Sequence, residues 1–270
     1  MYKIAAVVLC LLLWLPQVQA QTQTAATPRT KVILRVHTSP EDAPRLRGYT
    51  FRTAVPDSTE AGKEAKALVY QLQQDGYLLS SADSLYLRRD TLHVKLHVGQ
   101  RYEWAQLRNG NLSEGVLIES GFREKFYRNV PFKPQEYVRL QQRILDYAER
   151  NGYPFASVWL DSIKIENGKI DAALMVEKAF VVTYDSLAIV GETKTQPKFL
   201  MRYLQLLPGQ IYNQDQVNAS QRMLTQLPYI RQTRPPQVQF VRDKAKVHYF
   251  LEDRQANQID GIVGFLPDPN

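Results

Sequence analysis

The chain is nearly without cysteine: one residue, Cys10, in 270, lying inside an N-terminal apolar run. Once that run is removed no thiol is left to pair, which excludes a disulfide-stapled scaffold and requires packed cores instead. Long hydrophobic runs are also missing. Ala5 to Leu15 is the longest, about 11 residues and too short to span a bilayer. With Lys3 before it and Val18-Gln19-Ala20 after it, Met1 to Ala20 reads as a secretory signal peptide. Bulky Leu9 before Cys10 argues against lipid attachment there.

Chemistry-bearing clusters are equally scarce. Of the four histidines, His93 and His97 share one face of a strand, yet four residues of strand rise set them about 13 Å apart. That is too far for one ion with bonds of about 2 Å. His37 and His248 have no cysteine or acid at ligand spacing, so no metal is expected. Gly191-Glu192-Thr193-Lys194-Thr195 lacks the spacing of a phosphate loop and reads as a turn before a short helix, with Thr195 or Gln196 near its cap. No Gly-x-Ser-x-Gly or His-Glu-x-x-His occurs, so neither an enzyme nor a cofactor is indicated. Lys and Arg (34) exceed Asp and Glu (27), but the signs are interleaved along the chain. A solvated surface follows from that, not a nucleic-acid partner.

What is present is a repeat. Tyr77, Tyr153 and Tyr229 recur at an interval of 76 residues, each closing an amphipathic helix and preceding a strand-like stretch. In the middle unit Tyr102 to Leu107 reads as a first strand and Ser113 or Glu114 to Ser120 as a short helix ended by Gly121. Pro134 opens a second helix that runs to Asn151, with Tyr137, Leu140, Ile144 and Ala148 on one face. Gly152 ends it. Two strands follow, joined at Asn167-Gly168, the strongest short hairpin signal.

The last unit repeats the order. Its first strand ends at Val190, a short helix spans Pro197 to Leu204, and Asn213 with Gln216 forms a capping box. Val217, Met223 and Leu224 should point inward, and Val238 to Val241 with Val247 to Leu251 make the hairpin. In the first unit Lys31 to Val36 opens and a helix starts at Asp57-Ser58-Thr59-Glu60. Ala65, Leu68, Val69 and Leu72 then form its buried face, and Leu92 to Val98 closes the unit. Pro40, Pro44 and Pro56 leave no helical period where the other units have a short helix.

The order strand, helix, helix, strand, strand is joined by three local motifs. They are Asn109-Gly110-Asn111 after strand one, the Leu207-to-Tyr212 link Leu-Pro-Gly-x-x-Tyr, and the helix-Gly-Tyr-strand joints. Together they resemble the polypeptide-transport-associated (POTRA) domains of the BamA/TamA family of outer-membrane assembly proteins. The resemblance covers about residues 31 to 253 and is strongest from 102 onward. Leu227-Pro228-Tyr229 departs from it, standing where Gly-Tyr is expected. The resemblance implies an α+β fold of three tandem βααββ modules, each a three-stranded sheet covered by two helices. The expected division is 1–20 signal peptide, 21–30 linker, 31–100, 101–178 and 179–253 modules, and 254–270 linker with the start of a barrel strand. Gln258 to Phe265 is read as that strand, so a barrel missing from this chain is expected to follow.

Such a module leaves a sheet edge whose unpaired N–H and C=O groups can template another strand. In the middle unit the candidate edge is Ala156, Val158, Leu160, Ile163 and Ile165, with a bend at Asp161-Ser162 where the apolar phase slips. The resemblance implies a location on the periplasmic side of the outer membrane. It implies unfolded outer-membrane proteins and accessory assembly subunits as partners. A self-contained periplasmic scaffold linking envelope proteins without a barrel is the alternative.

Overall fold

A computed structural model describes residues 31–254. The expected signal peptide, the 21–30 linker and the barrel-strand start lie outside the described residues. Module 1 comprises β1 (Val32–His37), α1 (Ala43–Leu46), β2 (Ala54–Val55), α2 (Ser58–Gln74), β3 (Ser81–Arg88) and β4 (Thr91–His97). Module 2 comprises β5 (Glu103–Asn109), α3 (Glu114–Ser120), β6 (Arg128–Pro131), α4 (Pro134–Arg150), β7 (Ser157–Glu166) and β8 (Lys169–Glu177). Module 3 comprises β9 (Thr183–Val190), α5 (Pro197–Tyr203), α6 (Gln214–Thr225), β10 (Ile230–Val241) and β11 (Lys244–Asp253). No helix of the described residues is long and apolar enough to cross a membrane.

The last strand of each module is its central one. β4, β8 and β11 pair parallel with β1, β5 and β9 on one side and antiparallel with β3, β7 and β10 on the other. Being flanked on both sides, they carry the densest core: Leu92, Val94 and Leu96; Ile170, Ala172 and Leu174; Ala245, Val247, Tyr249 and Leu251 are all buried. The helices supply the facing layer through the positions that their periodicity marks, Ala65, Leu68 and Leu72 in α2, Leu140, Ile144 and Ala148 in α4, Val217 and Leu224 in α6. Asn167 (φ 51°) and Gly168 (φ 78°) form the expected hairpin turn. In module 1 the proline-rich segment has the four-residue α1 as its one helix, followed by β2.

One expectation needs correction. The sheets have four, four and three strands, because the links before α2 and α4 add β2 and β6 antiparallel to β1 and β5. A residue before proline is held extended, and Val55 and Val130 precede Pro56 and Pro131. In module 3 Gly209 (φ 80°) turns the Leu207–Tyr212 link away, and only an isolated Thr183–Ile211 bridge is left.

Module 3 buries three tyrosines, Tyr184, Tyr212 and Tyr249, each with a hydroxyl partner. Burial pushes the Tyr184 phenol up to about 12, so it stays a neutral donor, bonding to the Asn213 carbonyl at 2.9 Å. Asn213 also caps α6, its Oδ1 accepting from the N–H groups of Asp215 (2.9 Å) and Gln216 (3.2 Å). Asn213→Ala should therefore lower stability by about 1 kcal/mol, read as a shift in the urea midpoint without a change in slope.

The two junctions between modules are built alike. Tyr77 and Tyr153 follow Gly76 (φ 98°) and Gly152 (φ 86°) and return their N–H groups to Leu72 and Ala148, closing α2 and α4. Each glycine carbonyl then accepts the N–H of a residue in the next module, Tyr102 and Val182, both at 2.8 Å. The carbonyls of Tyr102 and Val182 accept in turn from Phe132 and Tyr212, both at 2.9 Å. The third tyrosine differs: behind Pro228 there is no left-handed glycine, and Tyr229 accepts from the N–H of Arg254 at 2.9 Å.

Candidate functional site: the open sheet edges

β7 lies at the edge of its sheet, in the order β6-β5-β8-β7, and β3 and β10 hold the same position in their modules. All three are bulged, between Ala82 and Ser84, Asp161 and Lys164, and Gln232 and Gln237. A bulge bends and twists an edge, which discourages fusion of flat edges while leaving backbone groups exposed. In β7 the bend falls at Ser162, whose φ is 52°, where the slipping apolar phase placed it.

The five sequence-chosen residues fall in three places, and Ala156 is outside the strand. Ala156 lies in the turn before β7, its N–H bonded to the Tyr153 carbonyl at 3.2 Å. Val158 and Leu160 are half-buried against the module 2 core, opposite Val176 and Leu174. Ile163 and Ile165, beyond the bulge, are 52% and 56% exposed. The exposed part of β7 is therefore its distal half. Its proximal half is partly occupied, because Gln141 of α4 donates Nε2 to the Val158 carbonyl at 3.0 Å. Sequence reasoning missed that contact, since nothing in the spacing of Gln141 and Val158 pairs a helix glutamine with a strand carbonyl. Trp159, whose aromatic ring suits the core or its rim, is 39% exposed on the opposite face of β7, and the exposed Leu85 and Leu87 of β3 were passed over.

His93 and His97 share the outward face of β4, and each has a partner from another segment. His93 meets His37 across β1 and β4, the Nε2 of one 2.9 Å from the Nδ1 of the other, and the Tyr86 ring stacks on His93. His97 lies 3.3 Å from Asp42. Register between non-adjacent segments brought these together, which no single-strand pattern encodes. Among the described residues no group of three or more His, Cys, Asp or Glu converges as a metal set would.

With the geometry in place, residues 182–254 match the family model described as POTRA, surface antigen variable number repeat. The chain is similar in structure to BamA POTRA3-5 from Haemophilus influenzae, at 15% identity and a TM-score of 0.51, over 84% of this chain and 99% of that one. BamA from Haemophilus ducreyi lacking POTRA domains 1-3 aligns at 15% identity and a TM-score of 0.43, over 57% of this chain and 30% of that one. POTRA1-3 of Omp85 from Anabaena aligns at 12% identity and a TM-score of 0.35, over 83% and 95%. No curated protein matches by sequence. The fold is that of tandem POTRA modules. Module 3 matches the POTRA family model by sequence as well.

Proposed function

We propose that this chain is the periplasmic POTRA portion of an outer-membrane protein assembly or translocation factor. Its modules guide unfolded outer-membrane strands by adding them to open sheet edges, and dock accessory subunits. The observation that carries the reading is the recurrence of a long, bulged strand at the sheet edge of every module. Main-chain pairing at such an edge depends little on the sequence of the added strand, which suits many clients and needs no catalytic group.

The distal half of β7 is the part to test. Covering the half-exposed Ile163 and Ile165 is worth about 1 kcal/mol each, so the double change to lysine should weaken binding of a barrel-strand peptide about 30-fold. Trp159, on the same strand, supplies the readout: its fluorescence should shift blue as peptide is added. An unaltered titration in the double variant would remove β7 from the mechanism. The barrel-free scaffold is separated by fractionating membranes that carry the full gene product. Release by alkaline wash favours the scaffold; extraction only by detergent favours the assembly factor.

A further inference from the structure

The face of the module 1 sheet turned away from its helices carries an excess of positive charge, three fixed cations against Asp83 at the β3 bulge, whose carboxylate accepts from the Ser81 hydroxyl at 2.6 Å. The register of β1, β4 and β3 aligns Arg35 with His93 and Tyr86, Ile33 with Thr91 and Arg88, and His37 with Lys95 and Ser84. This three-by-three array contains three fixed cations and no carboxylate. None of Arg35, Arg88 or Lys95 takes part in an ion pair among the described residues. The corresponding face of module 2 is balanced: Arg108 is paired with Asp171 at 2.8 Å, and Glu166 lies opposite Lys169. In module 3, Lys244 is already bonded to the Thr183 hydroxyl and lies 3.9 Å from Asp243.

We propose that this face docks module 1 onto an anionic phospholipid bilayer. The three cations stand on three different strands, spaced by about 5 Å between strands and about 7 Å along them. They spread over a flat surface and do not converge on one point, which fits a layer of headgroups better than a single phosphate. Two apolar side chains stand among them, Tyr86 (54% exposed) and Ile33 (46% exposed). An exposed tyrosine flanked by cations is the composition that settles at a membrane–water boundary. Burial, then His37 and the cations Arg35 and Arg88, hold His93 below the ordinary imidazole range. At neutral pH the attraction thus comes from the arginines and the lysine. The inference stands apart from the client-strand reading, because it uses the sheet face of module 1 and not the edge of module 2.

The test is co-sedimentation of the purified chain with vesicles of phosphatidylglycerol and phosphatidylcholine, against phosphatidylcholine alone. Each basic residue near an anionic surface contributes about fivefold. The anionic vesicles should be preferred more than tenfold, the preference falling steeply in 0.5 M salt, a condition of the experiment at which the Debye length is only about 4 Å. Arg35→Gln/Arg88→Gln/Lys95→Gln should abolish it, a loss of about a hundredfold, with the exchange of β4 amides unchanged. Lys164→Gln/Lys169→Gln in module 2 should stay within about twofold of the parent, since those cations lie among acids. Equal binding to both vesicle types, or full binding by the triple variant, overturns the proposal. Complete competition by millimolar inorganic phosphate or by an acidic peptide overturns it too, since a soluble anion would then be the ligand.

Discussion

Gly76→Ala should cost about 2–4 kcal/mol and uncouple module 1 from module 2. At φ 98° an alanine is strained wherever it stands, and its Cβ would lie 2.8 Å from the Phe132 carbonyl oxygen and 3.0 Å from that of Tyr102. Both oxygens belong to the backbone of the next module, so neither can rotate aside. The hydrogen bond from the Tyr102 N–H to the Gly76 carbonyl must lengthen as the modules separate. Urea unfolding of the full chain should become multiphasic, and proteolysis between residues 98 and 102 should accelerate. Gly121→Ala is the control: its φ is also positive, 68°, but nothing lies within 4 Å of the added Cβ. Its cost should be confined to about 1 kcal/mol of backbone strain. Gly152→Ala should fall between them, because the nearest atom there is a side-chain methyl of Ile211 at 2.5 Å and the nearest backbone oxygen, that of Val182, is 3.4 Å away. Equal losses at Gly76 and Gly121 would show that the junction is not a rigid coupling.

Asp42→Ala should destabilise module 1 by about 3 kcal/mol. Asp42 is only 2% exposed, in the segment where three prolines leave almost no helix. Its carboxylate accepts from the N–H groups of Val98 (2.9 Å) and Gly99 (3.1 Å) and from Arg45 (2.8 Å), tying that segment to the end of β4. Alanine leaves two buried N–H groups without an acceptor, and their desolvation is the larger part of the loss. Hydrogen exchange of the Val98 and Gly99 amides should speed up by about two orders of magnitude, while exchange in β8 and β11 stays unchanged. Burial by itself would raise the Asp42 pKa. The N–H of Val98, then Arg45, the N–H of Gly99 and His97 outweigh it and hold the group below the usual carboxylate range. The stabilisation is therefore complete above the unfolded pKa of about 3.9 and lost as pH falls through the lower folded value. Asp42→Asn should remove that acid-side dependence. If wild type and variant unfold in parallel below pH 4, the carboxylate is not the tie.

Sequence reasoning went furthest where one residue carries the local conformation. Asn167-Gly168, Asn213, Gly121 and Gly152 lie at the turns and helix ends they were chosen for, because their preferences act within a few bonds. The 76-residue interval located the modules. It did not show that the third tyrosine plays a different part, bonded to Arg254 and not packed behind a glycine. The candidate edge was legible as a strand with a bend. Its division into a half that packs on the core and a half that is exposed falls at the bulge between Asp161 and Lys164, which only the strand register reveals.

By itself the amino-acid order determined periodicity, caps, turns and which faces are apolar, and through these an α+β fold of three repeated units. The tertiary structure decided what meets what: the fourth strands of modules 1 and 2, Asp42 beneath the end of β4, His37 against His93, and three unpaired cations gathered on one face. The physical reason is one of range. Dihedral preferences and side-chain alternation act over a few residues, whereas contacts between positions 56 residues apart, such as Asp42 with Val98, exist only once strand register has been set.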